Sequence, residues 1–244
     1  MKVKRKLGTM VSEIGFAGLP TMMKNAGFDF LILDLEHGAF DYAGIRAIVG
    51  AARGCGLKTV MRLPDNGRRE ITRLCDMGAG GFLLPMAESA ADVAWAVRYA
   101  KYAPEGARGI STMRAHTGYD PGALADYMKT ANASMEIYAQ IETRRGMDNL
   151  RDILKTDYLT GAFLGPNDLS ADLNCIGDLN PILKAMETLA AECARAHKPA
   201  GIITSNETLL AKAAALQFAR LCVSSELNIL SDGYKKLRKT LSAL

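Results

Sequence analysis

The stretch Phe28-Asp29-Phe30-Leu31-Ile32-Leu33-Asp34-Leu35-Glu36-His37 is apolar along most of its length and polar at its end. A strand covered on both faces reads as a near-continuous apolar run of this kind. Working outward, seven further runs are candidate strands: 8–13, 58–64, 80–86, 135–143, 158–165, 200–205 and 220–225. Helix-period stripes lie between them. Ile71, Leu74 and Cys75 keep i, i+3, i+4 spacing, as do Ile182, Leu183, Met186, Leu189, Ala190 and Cys193. Leu227, Leu230, Tyr234, Leu237 and Leu241 form the last stripe. Asp41, Ser89, Asp178 and Asn206 read as N-caps. Eight strand–helix alternations in 244 residues, with no linker or shift in composition, predict a single-domain α/β protein, a (β/α)8 TIM barrel over residues 1–244. An open doubly wound sheet is the competitor, but no GxGxxG or GxxxxGK[ST] turn follows a strand. The longest irregular stretch, 103–121, reads as a lid or binding loop.

Composition excludes several classes. The chain is 49% hydrophobic and 23% charged, ordinary globular usage. A formal charge of +4, dispersed along the chain, does not argue for nucleic acid. The one dense basic run, Lys2, Lys4, Arg5 and Lys6, reads as a solvated N-terminal arm. No stretch approaches 18 uncharged apolar residues, so no membrane span is expected. Five cysteines without a CxxC fit neither a disulfide framework nor a thiolate metal site, and point to a reducing cytoplasm.

In a barrel, chemistry collects where the strands end. There the sequence offers Asp34, Glu36 and His37, then Arg62, then Gln140 and Glu142, then Gly165-Pro166-Asn167-Asp168. Gln140 and Glu142 are two apart and share a strand face. Neighbouring strands lie about 4.8 Å apart, so Glu142 and Asp168 can approach one ion. Two carboxylates, an amide oxygen and no thiol suit Mg2+ or Mn2+. Taken singly, these residues have plainer readings: a helix cap for Asp168, a first-turn carboxylate for Glu142, a structural ion pair for Arg62. Either Glu36 or His37 faces the mouth, because strand ends bend. Trp95 and Tyr99 read as packing, His197 as a C-terminal helix cation, and His116 as a loop residue with a weak claim on substrate.

Six segments together carry a resemblance: Asp34-Leu-Glu-His37, Met61-Arg-Leu-Pro64, Leu83-Leu-Pro-Met86, Arg108-Gly109, Gln140-Ile-Glu-Thr143 and Leu164-Gly-Pro-Asn-Asp-Leu-Ser170. They span most of the chain, and it resembles the HpcH/HpaI aldolases, class II pyruvate aldolases on a (β/α)8 fold. That family includes 4-hydroxy-2-oxoheptanedioate and 2-dehydro-3-deoxyglucarate aldolases. The resemblance implies retro-aldol cleavage of a 4-hydroxy-2-oxo acid to pyruvate and an aldehyde. It implies Glu142 and Asp168 as ligands of a divalent ion, Mg2+, Mn2+ or Co2+, with Gln140 beside them. It implies Arg62 on the keto oxygen, His37 as base with Asp76 as its carboxylate partner, and Gly165, Pro166, Asn167 and Asp168 as substrate-binding, the pyruvate carboxylate resting on backbone N–H groups of the last two. It also implies a homo-oligomer, a hexamer built from dimers with the last helix exchanged. Leu35, Asn167 and the segment Cys222-Val-Ser-Ser-Glu226 depart from the family pattern and bear on the substrate.

Rival readings are few. A Schiff-base aldolase needs a lysine buried on a strand, and the sixth strand has none. An oxaloacetate decarboxylase or an acyl-CoA lyase of the citrate lyase β type would use the same enolate. A metal-dependent isomerase or phosphate-binding barrel should show a Gly-rich seat after strands seven and eight. A non-catalytic ligand-binding or scaffold barrel is the alternative from outside enzymology.

Overall fold

A computed structural model describes residues 4–65 and 67–242. Lys2 of the basic arm lies outside them. The chain runs β1 (Lys6–Val11), α1 (Leu19–Asn25), β2 (Phe30–Asp34), α2 (Tyr42–Cys55), β3 (Lys58–Arg62), α3 (Arg68–Met77), β4 (Gly81–Leu84) and α4 (Ala90–Ala100). It continues through α5 (Leu124–Ser134), β5 (Glu136–Ile141), α6 (Arg144–Asp148), α7 (Leu150–Lys155), β6 (Gly161–Leu164) and α8 (Pro166–Asp172). It ends with α9 (Asn180–Arg195), β7 (Ala200–Thr204), α10 (Glu207–Ala215), β8 (Arg220–Ser225) and α11 (Glu226–Leu241). All strands are parallel, each pairs with its successor, and β8 returns to β1, so the sheet is a closed barrel. The expected (β/α)8 architecture is the one observed. Six strands are shorter than their apolar runs, β8 coincides with its run, and β1 begins and ends two residues before its run. Residues 158–160, for example, precede β6 in a turn where Tyr158 adopts a φ of +59°.

Alternation along each strand divides the core. Phe30, Ile32, Val60, Leu83, Tyr138, Phe163 and Cys222 fill the lumen. Leu31, Leu33, Met61, Phe82, Ile137, Ala139 and Leu164 face the helices. Both faces are therefore apolar, which explains the uninterrupted hydrophobic runs. Continuing the lumen series Phe30, Ile32 brings Asp34 to the mouth.

Three of the four expected caps are present. Asp41 accepts from Gly44 N at 2.7 Å and Asn206 from Leu209 N at 3.1 Å. Ser89 and Asp92 form a reciprocal capping box. Asp178 is a correction: Leu179 is the N-cap of α9, and the Asp178 carboxylate instead accepts from Asn180 N at 2.9 Å.

The stretch 103–121 is no lid over its own mouth. α3 leaves the end of β3 and returns to the start of β4, so its last turn, with Asp76, lies at the opposite end of the barrel. The long stretch packs there: Arg108 Nη2 meets Asp76 Oδ1 at 3.1 Å, and His116 Nε2 lies 3.7 Å from the same oxygen. His116 is thus far from the barrel mouth in its own chain. α11 packs on β1 and β8 near its first turn, while Ile229, Leu230, Tyr234, Leu237 and Leu241 remain exposed.

Replacing Ser89 by Ala removes one half of the capping box and is expected to cost about 1 kcal/mol. For a chain of this size that lowers Tm by roughly 2–4 °C, measurable by calorimetry.

Candidate active site

The mouth is organised by a buried ion pair. Asp34 and Arg62 are register partners on β2 and β3. Arg62 Nε donates to Asp34 Oδ1 at 2.9 Å and Nη2 to Oδ2 at 2.7 Å. The pairing is bidentate and both side chains are buried. Asp34 Oδ1 also accepts from Glu36 N at 3.1 Å and His37 N at 3.3 Å, so it fixes the turn that follows β2. Burial by itself would raise the Asp34 pKa. The hydrogen bonds and charge of Arg62, helped by those two N–H groups, outweigh it and hold the carboxyl below its ordinary value.

This turn decides between Glu36 and His37. Glu36 Oε2 lies 3.0 Å from Arg62 Nη1, with its side chain 21% exposed. His37 points outward, 71% exposed, with Nε2 3.9 Å from Glu36 Oε2. Glu36 therefore faces the mouth and His37 sits on its rim. Burial pushes Glu36 up, Arg62 and His37 draw it down, and the charges of Asp34 and Asp168 push it up again, leaving it above its ordinary value.

Glu142 enters from the next quadrant. Gln140 and Glu142 continue the lumen face of β5, and both are 2% exposed. Glu142 Oε1 accepts from Met86 N at 2.7 Å. Gln140 Nε2 donates to Glu142 Oε2. Met86 adopts a φ of +49°, unusual for a residue with a side chain, and this aims its N–H at the carboxylate. Gly165 completes the cradle, because a Cβ there would collide with Glu142 Oε2 and approach Gln140 Nε2 to 3.1 Å. Burial, the largest effect, raises the Glu142 pKa; Met86 and Gln140 oppose it, and the Asp168 and Glu36 charges reinforce it, with a net rise.

Asp168 lies in the first turn of α8, one strand over, and is exposed. Gly165 is the N-cap and Pro166 the first helical residue, so Asn167 and Asp168 carry the first free N–H groups of that turn. Glu36, Glu142 and Asp168 thus act on one another electrostatically, with Arg62 as their nearby cation. Gln140 Oε1 is buried with no partner. A buried amide oxygen without a donor, beside carboxylates in excess of cations, suits a hard cation with its water. Among the described residues no three His, Cys, Asp or Glu side chains close into a cage. Two carboxylates as a donor set would leave an ion's other positions to water or substrate.

Asp76 is a correction. It lies at the far end of α3 against Arg108 and His116, not beside His37. A helix-period position near the end of α3 faces the barrel's other end, and no feature of the sequence near Asp76 links it to the mouth. Asp34 and Glu36 are the residues whose importance the sequence understated. Their signal was the alternation with Phe30 and Ile32. The Met86 N–H had no signal, since a positive φ at methionine is set by its surroundings.

A (β/α)8 barrel with a carboxylate-rich mouth around one fixed guanidinium collects its chemistry where the strands end, as barrel enzymes do. The chain belongs to the HpcH/HpaI aldolase/citrate lyase family, whose pattern matches residues 18–221. It is a carbon–carbon lyase. It is similar to the 5-keto-4-deoxy-D-glucarate aldolase of Klebsiella pneumoniae subsp. pneumoniae, 33% identical over 214 residues, 87% of this chain and 83% of that protein. Its fold is that of an HpcH/HpaI aldolase from Desulfitobacterium hafniense DCB-2, with TM-score 0.94 and 28% identity over 99% of this chain and 94% of that one. The protein CitE of Mycobacterium tuberculosis, solved in complex with magnesium and pyruvate, shares the fold at TM-score 0.57 and 22% identity, over 90% of this chain and 85% of that one. No helix among the described residues is long and apolar enough to cross a membrane.

The raised pKa of Glu142 has a stability consequence. An acid whose pKa is higher in the folded state destabilises the fold once it ionises, above that pKa, and the cost disappears as pH falls through it. Glu142→Gln is therefore expected to raise Tm at pH 7 in EDTA. The difference from the parent chain should shrink as the pH approaches the acid range, which thermal scans across pH will check.

Proposed function

We propose that this chain cleaves a 4-hydroxy-2-oxo acid to pyruvate and an aldehyde, or runs the reverse condensation. The observation that carries this reading is the pocket of Glu142: a carboxylate whose pKa burial raises, with an orphaned Gln140 oxygen beside it, facing a guanidinium that Asp34 holds rigid. Glu142 and Asp168 would hold the divalent ion, Mg2+ or Mn2+, with Co2+ as a third candidate. When bound, that ion supplies Lewis-acid charge to the oxygens of the 2-oxo acid.

The reaction breaks the bond between carbons three and four. A base takes the proton of the 4-hydroxyl, the aldehyde departs, and the bonding electrons pass into the ketone to give the pyruvate enolate. A proton returned to carbon three completes pyruvate. Arg62 stabilises the costly enolate. Three of its five N–H donors are engaged by Asp34 and Glu36, and one on each terminal nitrogen is free for substrate oxygens. Because Asp34 fixes the fork before substrate arrives, little reorganisation is needed when negative charge develops. Glu36 and His37 form the proton path: Glu36 lies within the mouth, and His37 on the rim exchanges protons with water. The N–H groups of Asn167 and Asp168, beside Gly165 and Pro166, seat the substrate carboxylate. Asp76 has no part in this mechanism within one chain.

The name of the Klebsiella relative supports a diacid substrate. Numbered from its keto end, 5-keto-4-deoxy-D-glucarate is a 4-hydroxy-2-oxo diacid, and its cleavage yields pyruvate and a three-carbon aldehyde acid. A lactate-dehydrogenase-coupled assay over a panel of 4-hydroxy-2-oxo acids tests this. Pyruvate release should require a divalent ion and stop in EDTA; release without metal overturns the class II reading. Arg62→Ala should lower kcat/KM by about 10²–10³, and Arg62→Lys should not restore it, since lysine lacks the fork. Full activity of Glu142→Ala or Asp168→Ala at saturating metal would refute the ligand assignment.

We further propose that the chain forms a homo-oligomer through α11, consistent with a trimer of dimers. Leu237 and Leu241 lie open on that helix, 62% and 69% exposed, along with Tyr234. Sedimentation should show an assembly larger than 26.3 kDa that Leu237→Glu shifts toward monomer.

A further inference from the structure

Guanidinium groups concentrate along α2 and α3, from the flank of the barrel to the end opposite the mouth. Two cavities of about 290 and 310 Å3 lie there. Asp76 lines the larger, with Arg46, Arg73 and Arg114. Its partners Arg108 and His116 line the smaller, with Arg53, Tyr127 and Thr130. Five arginines and one acid among the described lining residues leave four positive charges in excess, as many as the formal net charge of the whole chain.

The smaller cavity is the better built. The Arg108 side chain is 3% exposed; its Nη2 meets Asp76 at 3.1 Å, and its Cζ stands 4.6 Å from the centre of the Tyr102 ring. Its Nε is buried and has no partner. His116 Nε2 donates to Ser111 O at 2.9 Å, and Nδ1 shares a hydrogen bond with Tyr127 OH. Burial, with the charges of Arg108 and Arg53, holds His116 below its ordinary pKa, against the pull of Ser111 and Asp76. Arg53 lies against Gly78, where a Cβ would come within 2.7 Å of its Nη1. Among the described residues no carboxylate forms an ion pair with Arg53. Asp76 thus answers Arg108 alone, which leaves Arg108 Nε without a partner and Arg53, exposed beside it, without a carboxylate.

We infer that this cavity binds a small oxyanion, the phosphate or carboxylate group of a metabolite, between Arg53 and Arg108, with the hydroxyl groups of Tyr127 and Thr130 alongside. A guanidinium fork matches either anion in two-point fashion. At about 290 Å3 the cavity is near the lower limit for small-molecule sites, which suits phosphate or a few carbons bearing a charged group. Asp76 holds Arg108 in place rather than acting on substrate. None of its residues reaches the mouth of its own chain, so within one chain the site stands apart from the lyase chemistry.

Calorimetric titration of the full chain in EDTA tests this, with inorganic phosphate in one arm and acetate in the other. Saturable binding of phosphate alone identifies a phosphoryl site, and of acetate a carboxylate site. Arg53→Gln should weaken binding about tenfold and Arg53→Lys less, while pyruvate release by both stays at the parent level. Arg62→Ala should still bind the anion. The inference is overturned if neither anion saturates by about 10 mM, if Arg53→Gln binds as tightly as the parent, or if Arg62→Ala is the variant that loses binding.

Discussion

Everything at the mouth depends on the fork of Arg62 closed on Asp34. Two hydrogen bonds of 2.9 and 2.7 Å tie neighbouring strands at their C-terminal ends. The same carboxylate takes two backbone N–H groups and so sets the turn that carries Glu36 inward and His37 outward. A buried pair of this kind contributes little net stability, but losing one partner strands the other charge, at a cost of about 3–5 kcal/mol. Its value is geometric: a guanidinium that cannot swing presents its remaining donors in one direction.

The second constraint works against stability. Glu36, Glu142 and Asp168 repel one another across a mouth whose cation is already committed to Asp34 and Glu36. Glu142 is held there by Met86 N and Gln140, and by the missing Cβ of Gly165. Two carboxylates, Glu36 and Glu142, kept above their ordinary pKa in a concave, partly buried site are what a cation or a proton-transfer step requires. A core built only for stability would have paired them or replaced them.

Much of this was legible in the chain. Near-continuous apolar runs marked each strand and, counted eight times, the barrel. The polar residues at the strand ends marked the rim, and Gln140 with Glu142 shared a face by simple parity. Parity also put Glu36 with Asp34, yet a strand end is free to bend, and only the two N–H bonds to Asp34 Oδ1 removed that freedom. The stretch 103–121 looked like a lid because it is long and irregular. Which end of the barrel it covers follows from the direction of α4, and its anchor, Asp76 with Arg108, joins residues 32 apart.

The linear sequence determined the barrel, its single domain and the set of polar groups at its rim, because those rest on local periodicity and on connections between consecutive elements. Tertiary structure decided which of those groups meet. Asp34 engages Arg62 from the neighbouring strand, Glu142 engages Met86 from 56 residues away, and Asp76 joins the arginines at the opposite end. Such contacts depend on barrel closure and on backbone conformations such as that of Met86, which packing imposes and no residue type encodes.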